Sequence, residues 1–132
     1  MKRVFKVTAN TSDNWLWIRY VEHVDADDVQ ACLHEIENIL PGLKSGFSLI
    51  ADLSGLHSMS IECAPYLGKI MDRCKESKVG RVIRVIPDPA KDIGFKILSV
   101  FHYGNGVPIR VAGSLEEAEK ILKFRLSATG TA

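Results

Sequence analysis

The densest run of chemistry-bearing side chains is Asp52-Leu53-Ser54-Gly55-Leu56-His57-Ser58-Met59-Ser60-Ile61-Glu62-Cys63-Ala64. It brings hydroxyls, an imidazole, carboxylates and a thiol together at a predicted strand-to-helix junction. Cys63 falls at a helix start, where the helix dipole favours a thiolate. A nucleophilic thiol also needs a base, and His57 is the only one close in sequence. Glu62 beside it opposes thiolate formation, so Cys63 reads as a small packing residue. The histidines His23, His34, His57 and His102 include no i, i+4 pair, which excludes a helical zinc site. His34 lies outside the apolar stripe of its helix and reads as exposed, and His57 is either a partner contact or a loop residue without a task. Cys32, Cys63 and Cys74 are odd in number and lack CxxC spacing, which argues against a disulfide framework and a structural zinc. Gly104-Asn105-Gly106 lacks the strand-before, helix-after setting of a phosphate loop and reads as a turn. No catalytic set, metal site or cofactor site is expected.

The elements that position this run follow from periodicity. Residues 4–9 read as a strand, 10–14 as a turn of backbone-bonding side chains, and 15–21 as an aromatic, β-branched strand completing a hairpin. Trp15 and Trp17 share one face of that strand. They are core if helices cover that face, and a dimer or ligand platform if they do not. Asp25 caps a helix with Asp27 and Asp28 in its first turn and an apolar stripe of Val29, Cys32, Leu33, Ile36, Ile39 and Leu40, stopped by Pro41-Gly42. Residues 47–51 read as a short buried strand ending at Asp52. Ala64, Leu67, Ile70, Met71 and Cys74 form a second helical stripe, and Pro65 places that helix's start at about residues 62 to 65. Residues 81–86 are the next strand, ended by Pro87-Asp88-Pro89. Ile93, Ile97, Leu98 and Phe101 suit a third helix, residues 108–111 a last short strand, and Ser114 with Glu117 a capping box opening a fourth helix. The order β-β-α-β-α-β-α-β-α predicts an α/β fold, a mixed and mostly parallel sheet of about five strands with four helices.

The chain of 132 residues is sized for one domain, placed at residues 1–126 with a flexible tail at 127–132. Apolar residues make up 46% and charged residues 25%, the composition of a globular protein. A net charge of +1 argues against a nucleic-acid binder. No apolar run is long enough to span a bilayer and no signal-peptide core forms, so a cytoplasmic location is expected.

The run beginning at Asp52 resembles the signature of STAS domains, the anti-sigma factor antagonist family, whose pattern is Asp-Leu-Ser-x-Val-x-Phe-Met-Asp-Ser-Ser-Gly-Leu. Asp52, Leu53, Ser54 and Met59 match, and Leu56 is a conservative match. Pro108-Ile109-Arg110-Val111-Ala112-Gly113-Ser114-Leu115-Glu116-Glu117-Ala118 is similar to that family's closing strand and Ser-Leu-Glu-Glu-Ala helix start. The resemblance implies a single STAS-like domain that is not an enzyme and regulates a bacterial protein partner, an anti-sigma factor with kinase activity being the family's usual one. In that family a serine of the signature is phosphorylated. Here the serine pair falls on Ile61 and Glu62, so the phosphoacceptor position reads as Glu62, and a carboxylate there supplies permanent negative charge. Ser60 and Ser58 remain as phosphorylation candidates.

The expected partner surface is the loop at residues 52–62 and the start of the second helix, with Asp52, Ser54, His57, Ser58, Ser60, Glu62, Tyr66, Lys69 and Arg73 as contacts. Tyr66, Lys69 and Arg73 follow helical spacing opposite the apolar stripe, which is either a plain solvated face or the rim of that surface. A homodimer is compatible with these features. The alternative function is a small-molecule or lipid-binding domain of the same fold.

Overall fold

The computed structural model describes residues 3–88, 102–104 and 106–126. Strands β1 (Phe5–Asn10) and β2 (Trp15–Val24) pair antiparallel from Phe5↔Tyr20 to Asn10↔Trp15. Their turn is held as its composition requires: the Asp13 N–H donates to Asn10 Oδ1 at 2.8 Å, and Asn14 adopts φ 59°. Asn14 also ties the hairpin to the end of the first crossover, exchanging two hydrogen bonds with the Lys44 backbone at 2.8 and 3.1 Å.

Helix α1 (Ala26–Ile39) begins after Asp25, whose N–H donates to the Asp28 carboxylate at 2.9 Å. A 3₁₀ turn at Leu40–Gly42 ends it at Pro41. Strand β3 (Ser48–Met59) leads through a second 3₁₀ turn, Ile61–Cys63, into α2 (Ala64–Glu76). Pro65 falls in the first turn of α2, where its missing N–H removes no intrahelical bond. Strands β4 (Arg81–Val85) and β5 (Ile109–Ala112) follow, then α3 (Leu115–Leu122). The Ser114 hydroxyl accepts the Glu117 N–H at 3.1 Å, and the Glu117 carboxylate reaches back to the Gly113 N–H at 3.0 Å. The helix predicted around Ile93 to Phe101 and the tail at 127–132 lie outside the described residues.

The five strands form one sheet in the order β1-β2-β3-β4-β5, parallel except for the opening hairpin. Alternation along the strands makes two cores. Leu16, Ile18, Tyr20, Leu49, Leu53 and Val82 face α1 and α2, meeting Val29, Cys32, Ile36, Leu67, Ile70, Met71 and Cys74. On the opposite face Trp15, Ile50, Ile83, Val85 and Ala112 meet Ala118, Leu122 and Leu126. Trp15 is fully buried and Trp17 half-buried, their rings edge-to-face at 6.4 Å, so the tryptophans are core on the α3 side of the sheet.

One boundary corrects the sequence reading. The third strand does not stop at Asp52 but continues to Met59, so most of the expected loop at residues 52–62 is strand. The polar residues of this stretch tolerate the extension because β2 also runs on to Val24 and offers parallel ladder partners as far as Val24↔Met59. Gly55 fits because its missing Cβ would stand 2.9 Å from Val21 Cγ1. Pairing context has overridden local propensity.

Candidate functional site

The far ends of β2 and β3, the start of α1 and the turn into α2 converge on one edge of the molecule. The parallel register between β2 and β3 shifts twice, between Arg19 and Val21 and again between Glu22 and His23. At the second shift Glu22 sits at φ 59°, an uncommon backbone state for a residue other than glycine. Such irregularities re-aim side chains. Here the shift sets His23 opposite Ser58. Without it His57 would occupy that place.

The result is a continuous hydrogen-bonded chain. Ser58 Oγ is 2.6 Å from His23 Nδ1, His23 Nε2 is 2.9 Å from Asp25 Oδ1, and the Ser60 hydroxyl donates to the same Oδ1 at 2.8 Å. The neutral tautomer with its hydrogen on Nε2 satisfies both histidine contacts. The Ser60 hydroxyl first, and His23 second, hold the Asp25 carboxyl below the usual carboxylate range. Sequence reasoning treated Asp25 as a helix cap and gave His23 no partner. Nothing in their spacing relates them to Ser58, because the relation is made by strand pairing.

The other expected contact residues divide by burial. Asp52 is only 2% exposed: Oδ1 accepts from the Ser54 hydroxyl at 2.6 Å and the Ser54 N–H at 3.1 Å, and Oδ2 lies 3.4 Å from Arg19 Nε. Its carboxylate therefore works inside the fold, fixing the strand where a loop was expected. Ser54, His57 and Ser58 are exposed along β3, and Ser60 is half-buried at its end.

In the turn that follows, Glu62 is exposed and lies in the first turn of the 3₁₀ segment. With Asp25, Ala26, Asp27 and Ser60 it lines a shallow acidic hollow of about 360 Å3. Ile61 next to it is 85% exposed, the most exposed large apolar side chain among the described residues. Cys63 is fully buried, its Sγ 3.5 Å from the Val24 carbonyl. Desolvation raises its pKa, and the Asp25, Asp28 and Glu62 carboxylates add to the effect. That environment suits the packing role expected of it and opposes a nucleophilic one.

Along α2, Tyr66 is half-buried against the core and Lys69 Nζ lies 5.4 Å from its ring centre. Arg73 is engaged across the helix pair: its Nε contacts Glu37 Oε2 of α1 at 3.2 Å and its Nη1 contacts Glu76 Oε1 at 3.1 Å. The Glu37 hydrogen bond and the Glu76 charge strengthen its protonation. His102 pairs with Asp72 at 2.8 Å away from this edge, and His34 is exposed on α1. Among the described residues no three His, Cys, Asp or Glu side chains gather as metal ligands, and no helix is long and apolar enough to cross a membrane.

No protein-family model matches the chain, and no curated protein does. Solved structures do. The anti-sigma factor antagonist SpoIIAA in its unphosphorylated form superposes with a TM-score of 0.63, covering 90% of this chain and 97% of its own at 19% identity. This is the SpoIIAA-like, STAS-type fold. An uncharacterised protein of the DUF3478 family with a SpoIIAA-like fold, from Shewanella loihica PV-4, gives 0.66 at 16% identity, covering 89% of this chain and 91% of that one. An anti-sigma factor antagonist from Mycobacterium paratuberculosis gives 0.58 at 13% identity, covering 93% and 97%. At these identities the likeness concerns the SpoIIAA-like fold alone.

Proposed function

We propose that this domain is a non-enzymatic protein-interaction module, resembling an anti-sigma factor antagonist, that docks a partner through the end of β3, the Ile61–Cys63 turn and the first turn of α2. The observation that carries this reading is Ile61, 85% exposed beside the Glu62 carboxylate and the acidic hollow at the start of α1. An apolar side chain held almost wholly in water gains free energy when a partner covers it, and a polar rim around it gives that partner its specificity. His57, Ser58, Ser60 and Glu62 form the docking edge, with Ser54 outside it and Tyr66 and Lys69 as its rim on α2. Asp52 supports the edge from within, and Arg73 ties α2 to α1 on the surface through Glu37. Glu62 supplies a permanent negative charge at the position where the resembling family carries its phosphate, and the partner that fits is an anti-sigma factor of the kinase type.

The test compares wild type with Glu62→Ser, Glu62→Lys and Ile61→Asp as baits, followed by titration of any captured protein. Glu62→Lys and Ile61→Asp should each weaken the partner's affinity about tenfold or more, while thermal melting stays unchanged. Identical partner sets and affinities for all four proteins would remove the proposed edge.

The alternative, a carrier of a small apolar ligand, has one observation in its favour. A hollow between the sheet and α2 is lined by Ile18, Tyr20, Leu53, Leu67, Met71 and Tyr103 among others. Its volume of about 40 Å3 is far below the roughly 300–1,000 Å3 of ligand pockets. Co-purified ligand mass in native mass spectrometry would favour the carrier over the interaction module.

A further inference from the structure

The geometry points to Ser58 as an activated nucleophile, a covalent acylation site at which His23 is the base and Asp25 orients the base. This goes beyond the docking role and does not depend on it. The three side chains come from three elements, the end of β3, the end of β2 and the residue before α1. They form a single file, with Oγ to Nδ1 at 2.6 Å and Nε2 to carboxylate at 2.9 Å. Nucleophile and base within hydrogen-bond reach, with the base held by a third group, is the signature of a primed hydroxyl. The second register shift and the positive φ of Glu22 are what create the alignment. Ser60 has a hydroxyl in the same cluster but donates it to the Asp25 carboxylate, whose lowered pKa makes it a poor proton acceptor. Ser54 likewise donates to Asp52. Among the serines of this edge, only Ser58 faces an imidazole.

The site is open, with His23 56% exposed. Its surroundings choose the electrophile. Asp25, Asp27 and Glu62 ring the adjacent hollow, and Asp28 stands in the same first turn. This negative field disfavours anionic donors and leaves uncharged oxygen esters and thioesters as the fitting class. In the step, Ser58 Oγ attacks the acyl carbonyl carbon and the bond from that carbon to the leaving oxygen or sulfur breaks. The hydroxyl proton passes to His23 Nδ1 and on to the leaving group. The products are a serine ester and a free alcohol or thiol, with no change in oxidation state. While the imidazole carries both protons, the Asp25 carboxylate stabilises it through Nε2–H.

The test treats the whole chain with p-nitrophenyl acetate, follows p-nitrophenol release, and locates the acetyl group by peptide mass spectrometry. One acetyl per chain should appear at Ser58, at a rate at least about a hundredfold above any other serine, the low end of what a general base supplies. The carboxylate in contact with His23 is that of Asp25, the residue before α1, and Asp27 and Glu62 line the hollow that Asp25 shares. Ser58→Ala and His23→Gln should reduce labelling to background without changing the melting temperature, and His34→Gln on the exposed face of α1 should leave it unchanged. Asp25→Asn retains a good helix cap, so a severalfold slower rate with an altered pH profile, partly restored by Asp25→Glu, would mark Asp25 as a positioning residue. Acetylation confined to amines, or Ser58 labelled no faster than Ser54 or equally fast in His23→Gln, would overturn the proposal. Loss of partner binding in Ile61→Asp with Ser58 labelling intact would separate this inference from the docking reading.

Discussion

Three thiols sit in this chain, and the structure disposes of each the same way. Cys32, Cys63 and Cys74 are all buried, and burial pushes the Cys32 and Cys74 thiols up to about 12. Native protein should therefore show almost no reaction with a thiol reagent at neutral pH, and three equivalents once unfolded. Selective labelling of Cys63 in the folded state would contradict its packing role. The same burial fixes a sign for alkaline stability. A folded-state pKa above the unfolded value stabilises the fold fully below the unfolded value and is lost as pH rises through the folded one. The thiols move from 9.0 to about 12, so stability should decline from about pH 9 upward, by about 1.4 kcal/mol per pH unit for each thiol kept neutral by the fold. Burial raises Tyr20 and Tyr103 as well, which extends the decline in the same direction. Denaturant midpoints at several alkaline pH values should fall less steeply for Cys74→Ala than for wild type. Equal slopes would deny the thiol its share.

At the scale of elements, the connection from α2 into β4 depends on a close backbone approach. A Cβ on Gly80 would stand 2.5 Å from the Gly46 carbonyl oxygen, and Gly46 itself adopts φ 87°. The Gly46 N–H donates to the Lys78 carbonyl at 2.7 Å and the Gly80 N–H to the Phe47 carbonyl at 2.8 Å, so the two segments are locked together. Neither backbone can move aside cheaply. Gly80→Ala should cost about 1–3 kcal/mol, read from chemical unfolding. Gly106→Ala is the control, since nothing among the described residues lies within 4 Å of the added methyl and its φ lies outside the left-handed region. It should be neutral or stabilising by up to about 1 kcal/mol, through the unfolded chain's lost freedom. Two equal effects would mean that the Gly46 contact does not constrain the turn.

At the scale of the whole molecule, the sheet separates two cores of unequal make-up. α1 and α2 cover one face, and among the described helices only α3 meets the other, over Trp15, Ile50 and Ile83. Both indole N–H groups on that second face are buried without an acceptor among the described residues, a desolvation cost that tight apolar packing must offset. The tryptophans therefore report on α3. Leu122→Ala should destabilise by about 2–5 kcal/mol and shift tryptophan emission to the red. Ile36→Ala, equally buried on the opposite face, should cost a similar amount with emission of the native state unchanged. An emission shift from Ile36→Ala alone would reverse the assignment of faces.

The sequence by itself determined the order of the described elements, the caps at Asp25 and Ser114, the delayed start of α2 at Pro65 and the apolar stripes of α1 and α2. All of these are written in local chemistry: hydrogen-bonding side chains next to backbone donors, a missing N–H, and apolar residues repeating at the period of the element they build. The tertiary structure alone decided how far β3 extends, that the Asp52 carboxylate is enclosed, and that His23 meets Ser58 across a shifted register. A strand's length depends on whether a neighbouring chain offers ladder partners, and a register shift is a relation between two segments 35 residues apart. No window of local sequence contains either fact.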